Sequence, residues 1–181
     1  MIKKILVPCD GSDLAQRAVF PYVEELAAKT GAEVIILRVI DAPAGRSGAH
    51  FRARAPEMPI PLPETPEDAR IARHPIYRDQ EIASAVDEAR RSVTKAEAML
   101  REKGVNVHSE VLMGDPAEEI IDFADKQDTD LIIMCSHGES GIRRWVFGSV
   151  TEKVLRGTTT PVLVIRPQEL EKKGTADQAS V

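Results

Sequence analysis

Four short, β-branched and almost uninterrupted apolar runs punctuate this chain, at residues 4–9, 33–40, 131–134 and 161–165. A strand with water on one face alternates apolar and polar side chains. A run without that alternation is buried on both faces, as strands are inside a parallel sheet covered by helices. A further strand is read from the alternation of Val105, Val107 and Val111. Helical patterns separate these segments, and such alternation calls for right-handed crossovers and a mainly parallel sheet. The expected architecture is α/β: an open five-stranded parallel sheet, doubly wound.

The helix signals agree. After the first run the chain breaks at Asp10-Gly11-Ser12, and Ser12 is placed to cap a helix whose stripe is Leu14, Ala18, Val19, Val23 and Leu26, with Gly31 as its stop. Pro21 inside it predicts a kink. From Asp79, Ile82, Val86, Ala89, Val93, Ala96 and Leu100 recur at spacings of four and three and end at Gly104, one apolar helix face. Asp115 as cap, Pro116 at the first helical position and Glu118 three beyond the cap form a capping box. Between these patterns the composition shifts. Seven of the twelve prolines fall between Pro43 and Pro75, so residues 42–78 read as a Pro-rich insertion, either a surface excursion or a lid or partner-binding arm. The reading is one domain over 1–167 with a polar tail over 168–181.

Composition narrows the function classes. A net charge of -5 and a pI near 5.5 argue against a nucleic acid partner, whose phosphates demand clustered Lys and Arg. The N-terminal apolar run at residues 5–7 is far shorter than a signal-peptide core or the roughly 20 residues of a membrane span, so no membrane association and a cytoplasmic setting are expected. Cys9 and Cys135 lie far apart without Cys-x-x-Cys spacing, and His50, His74, His108 and His137 are scattered. No zinc knuckle or disulfide framework is written in the chain.

In open α/β sheets, ligands bind beyond the carboxyl ends of the strands where the strand order reverses. The unusual residues sit there: Pro8-Cys9-Asp10-Gly11-Ser12 after the first strand, Asp41 after the second, Gly114 after the third and Cys135-Ser136-His137-Gly138 after the fourth. After nine intervening residues, 139–147, come Gly148, Ser149, Val150 and Thr151, opening a helix. Glycines let backbone approach an anion, and the first N–H groups of a helix have no internal partner and sit at the positive end of its dipole. Ser149 adds a hydroxyl. Phosphate is one reading of this stretch; a plain capped loop is the other. For Asp10 the alternatives are a ligand contact and an Asx turn.

These residues resemble the universal stress protein family, whose nucleotide-binding members carry Gly-x-x-Gly, nine residues, then Gly and Ser or Thr. Gly138, Gly148 and Ser149 match at that spacing, with Cys135 where the first glycine is expected. Val7-Pro8-Cys9-Asp10-Gly11-Ser12, Val111-Leu112-Met113-Gly114-Asp115-Pro116 and Pro161-Val162-Leu163-Val164-Ile165 resemble other family segments, and the likeness covers residues 2–41 and about 79–166. The resemblance implies strand order 3-2-1-4-5, the Rossmann-like sheet of adenine nucleotide α-hydrolase-like proteins, and ATP as ligand. It places Pro8 and Asp10 near the ribose or adenine, the Val39 backbone on adenine and Gly114 beside the nucleoside. Cys135, Ser136, His137 and Gly138, with Gly148, Ser149, Val150 and Thr151, would hold the phosphates, with Mg2+ or Mn2+ bridging phosphate oxygens rather than caged by protein. No catalytic residue is expected, since no Ser or Asp at fixed spacing orients His137 as a base, and Arg143 and Arg144 read as solvated. Cys135 has a side chain where the family pattern has none, so weakened affinity is expected.

Three functions follow from the resemblance. The leading one is an ATP-binding regulatory module of stress response, whose nucleotide occupancy orders residues 139–147 and alters binding of a protein partner. The others are a slow ATPase or phosphotransferase, and a nucleotide-free dimeric interaction protein. The intact glycines favour the first two, and the absence of a Gly-x-x-x-x-Gly-Lys-Ser/Thr loop favours binding over turnover. A homodimer is expected through the fifth strand, a sheet edge in the implied order that the family pairs with its mate. That order also makes Cys9 and Cys135 the ends of neighbouring strands, but whether the thiols share a face depends on register.

Overall fold

The computed structural model describes residues 1–41, 75–136 and 147–167. Most of the expected insertion, the tail, His137 and Gly138 lie outside the described residues. Five strands, β1 (Lys4–Pro8), β2 (Glu33–Ile40), β3 (Val107–Met113), β4 (Leu131–Cys135) and β5 (Val162–Ile165), form one sheet in the order β3-β2-β1-β4-β5. Every pairing is parallel. Among the described residues four helices cover it: α1 (Asp13–Thr30), α2 (Pro75–Glu102), α3 (Pro116–Lys126) and α4 (Ser149–Gly157).

The unbroken apolar runs have the cause the sequence suggested. Along β1, Ile5 and Val7 point into a core layer with Val19, Phe20 and Val23 of α1 and Val93, Ala96 and Leu100 of α2. Leu6, one residue out of phase, points the other way, into a layer with Ala117, Ile120 and Ala124 of α3 and Val154 of α4. β2 divides likewise, Val34 and Ile36 to the first layer and Ile35 and Leu37 to the second. Truncating a wholly buried residue such as Leu100 or Ile132 to Ala costs about 2–5 kcal/mol.

Several element boundaries differ from the expectation. α2 starts at Pro75 rather than Asp79, because a proline that reads as loop composition is also well suited to a first helical turn. Val105 precedes β3 but is buried in the first layer. On α1 the buried stripe is Ala15, Gln16, Val19, Phe20, Val23 and Ala27, while Leu14, expected on that face, is 40% exposed. Leu14 lies about 100° round the helix from Ala15, enough to carry it off the sheet. α1 runs uninterrupted through Pro21.

Candidate functional site

At the carboxyl edge of the sheet the order reverses between β1 and β4, and a cleft of about 320 Å3 opens there. Its wall brings together Pro8, Cys9 and Asp10 from β1 and its exit, Val39 from β2, Cys135 from β4, and Gly148, Ser149, Val150 and Thr151 at the start of α4. Residues 125 or more positions apart in sequence thus meet at one place, which the parallel winding requires.

On the β1 side, the Asp10 carboxylate accepts the Ser12 N–H at 2.9 Å, closing an Asx turn, and the Ser12 hydroxyl accepts the Ala15 N–H at 3.2 Å to cap α1. Gly11 makes this turn with φ of 86°, and a Cβ there would lie 3.2 Å from both Arg38 Nη1 and Ser92 Oγ. Asp10 is exposed and on the cleft wall, so it organises the turn and faces the cleft at once.

The opposite wall is tied down by three bonds. Ser136 N–H donates to the Ile165 carbonyl at 2.8 Å, Gly148 N–H donates to the Ser136 carbonyl at 2.8 Å, and the Thr151 hydroxyl donates to the Cys135 carbonyl at 3.0 Å. α4 is thereby anchored to the ends of β4 and β5. Ser136 is 1% exposed and off the cleft wall, and its N–H is committed to β5, so it holds the anchor rather than presenting that donor to a ligand. Gly148 supplies no side chain to cap α4. The N–H groups of Ser149, Val150 and Thr151 accordingly have neither an intrahelical partner nor a side-chain cap from Gly148. Gly114 N–H donates to the Ile40 carbonyl at 3.0 Å; the residue follows β3, lies beside Glu119 and stands outside the cleft lining. His137 and Gly138 lie in the stretch outside the described residues.

Two polar residues here went unnoticed in the sequence. Arg38 lines the cleft and donates through Nη1 to the Cys9 carbonyl at 3.3 Å, while its buried Nε has no hydrogen-bond partner among the described residues. It continues the phase of Val34 and Ile36, but at the strand end, where the core gives way to the cleft. Gln16, buried on the sheet face of α1, lies beside the Cys9 thiol. Burial pushes that thiol's pKa up and the Asp10 charge adds to the rise; the Gly11 N–H, Arg38 and Gln16 pull it down but are outweighed. Only the breaks in periodicity at Gln16 and Arg38 signalled either residue.

Among the described residues, no group of three or more His, Cys, Asp or Glu is placed to hold a metal ion, and no helix is long and apolar enough to cross a membrane. The family model for the Universal stress protein family matches residues 1–166. Universal stress protein MJ0531 of Methanocaldococcus jannaschii is 31% identical over 173 residues, covering 94% of this chain and 86% of that protein. The solved structure of protein MJ0577, from the same organism, is similar with a TM-score of 0.70 and 28% identity, over 93% of this chain and 99% of the other. A universal stress protein of Archaeoglobus fulgidus, solved in complex with dAMP, shares the fold with a TM-score of 0.57 and 24% identity, over 91% of this chain and 99% of that one.

Proposed function

The chain belongs to the universal stress protein family, and on that premise we propose that its cleft binds an adenine nucleotide, ATP with Mg2+, and that occupancy regulates a protein partner. One observation carries the reading: the start of α4, with no side-chain cap, faces the Pro8–Asp10 end of β1 across the switch point, with Gly148 and Ser149 at the family spacing from Gly138. A helix start of that kind attracts phosphate through its N–H groups and dipole. Val39 and Asp10 line the same cleft, where the nucleoside end would lie. A protein of this fold was solved with dAMP, which makes the fold a fit host.

Among the described residues there is no carboxylate or imidazole cage, so Mg2+ would be held through the phosphates, and Asp10 is the acidic side chain on the described wall. No residue of the described cleft is assigned as base or nucleophile, so binding is the proposed activity rather than turnover. Isothermal calorimetry with Mg-ATP is expected to show one site per chain at micromolar to low-millimolar affinity. No heat at millimolar ATP would overturn the reading.

The proposal extends to a homodimer through β5. This strand is an edge of the sheet, and Val162, Leu163 and Val164 on it are only half-buried. An apolar edge with unpaired backbone groups is stabilised by pairing with a second copy. Light scattering at tens of micromolar is expected to give twice the chain mass, and a monomer would refute it.

A further inference from the structure

Cys9 and Cys135 lie at the ends of the two central strands. β1 and β4 pair in parallel with Ile5 opposite Leu131 and Leu6 opposite Ile132, and the same register carried onward sets Cys9 opposite Cys135. Packing agrees with the phase: Ile5, Val7 and Cys9 on one strand and Leu131, Ile133 and Cys135 on the other all join the core layer under α1 and α2. Both side chains therefore lie on one face of the sheet, and both line the cleft. Each is a thiol in this structure.

The strand ends bond outward at this point. Cys9 N–H donates to Leu37 of β2 at 2.8 Å, and Ser136 N–H to Ile165 of β5 at 2.8 Å. The two cysteines thus stand on either side of the opening at the switch point. Adjacent strands lie about 4.8 Å apart, and a disulfide needs Cα atoms roughly 4.4–6.8 Å apart. Directly opposed positions meet that requirement once the ends close. Accessibility gives the two thiols different roles. Cys135 is half-buried on the wall, where a solvent-borne oxidant reaches it first, whereas Cys9 is buried, with the Gly11 N–H, Gln16 and Arg38 around its sulfur.

We propose that Cys9 and Cys135 form a reversible oxidation site for hydroperoxides, and that the resulting disulfide narrows the cleft mouth and weakens nucleotide binding. The Cys135 thiolate attacks the peroxide; the O–O bond breaks, leaving a sulfenic acid and releasing water or an alcohol. The Cys9 thiolate then attacks that sulfur, the S–S bond forms and a second water leaves. Two thiols lose two electrons and two protons, the peroxide gains both, and a dithiol reductant reverses the change. The bond ties the residue before Asp10 to the residue before Ser136, and through the Cys135 carbonyl it reaches Thr151 of α4.

The affinity effect rests on the nucleotide reading; the bond does not. Wild-type protein treated with a few equivalents of hydrogen peroxide is expected to lose the mass of two hydrogens and to yield a Cys9–Cys135 linked peptide, both reversed by dithiothreitol. Mg-ATP affinity should fall about tenfold on oxidation and recover on reduction. In Cys9→Ser the intrachain link should be missing and the ratio of treated to untreated affinity should be one. Cys135 ending as a sulfinic acid with Cys9 still a thiol, or links only between chains, would overturn the site. A complete disulfide with unchanged affinity would overturn the coupling. A disulfide in a protein whose reduced form binds no ATP would overturn the coupling together with the proposed function and support the oxidation site alone.

Discussion

α3 and α4 start beside one another, joined by the Lys153–Asp115 ion pair at 3.1 Å, and their first turns are finished in opposite ways. α3 carries its own anion. The Asp115 carboxylate accepts the Ala117 N–H at 3.0 Å and the Glu118 N–H at 3.2 Å, and Pro116 fills a position that needs no donor. α4 begins at Gly148, whose extended backbone, φ of -60° and ψ of 152°, suits a cap, but which brings no side chain to serve as one. The N-terminal N–H groups are met by the cap's own carboxylate at one helix, while at the other the cap has no side chain and Glu152 is the acidic residue of the first turn. An outside anion can reach a helix start only where the chain withholds its own cap and a cleft gives access, and the proposed function assigns that role to α4.

Exchanging the two designs tests this. Gly148→Asp gives α4 an internal carboxylate, which should raise stability by about 0.5 kcal/mol in urea melts while weakening Mg-ATP by about a hundredfold. Binding at wild-type strength in that variant would show that phosphate is held elsewhere. Gly148→Val blocks backbone approach without adding charge, so calorimetry should show a smaller loss, about tenfold, alongside a small loss of stability. Asp115→Ala breaks the other helix start. It should cost about 1 kcal/mol at neutral pH and leave ATP affinity within about twofold.

That last difference depends on pH. Burial disfavours the charged Asp115 carboxyl, but the Glu118 N–H, Lys153 and the Ala117 N–H outweigh it and hold its pKa below the ordinary 3.8. A carboxyl with a lowered folded-state pKa binds fewer protons folded than unfolded. Its stabilisation is complete above the ordinary value and fades as pH falls through the folded value. The gap between wild type and Asp115→Ala in urea melts should therefore shrink below about pH 3.8. A gap of equal size at pH 7 and pH 3 would mean the carboxylate's charge contributes nothing.

The caps were legible because capping is local: Asp115-Pro116 and Ser12 act on N–H groups two or three residues away. The buried runs were legible for a similar reason, since each reports its own surroundings. Leu14 was misplaced because a helix face is known only to within a residue or so until the surface it packs on is known, and Ala15 rather than Leu14 meets the sheet. Arg38 carries no local signal beyond a break in an apolar run; its place under Gly11, bonded to the Cys9 carbonyl, follows from the pairing of β1 with β2. The bond from the Ser136 N–H to β5 is invisible in the local motif, because Ile165 arrives 29 residues later.

By itself the chain determined its doubly wound architecture, the caps of α1 and α3 and the glycine spacing at the mouth of the cleft, all written in periods and caps that act within a few residues. The tertiary structure decided register. A period of two says that Ile5, Val7 and Cys9 share a face, and that Leu131, Ile133 and Cys135 share one, but not that the two faces are the same. That was settled by the pairing of Ile5 with Leu131 and Leu6 with Ile132, with α1 and α2 covering one side of the sheet and α3 and α4 the other, because which layer a side chain joins depends on neighbours that no single strand encodes.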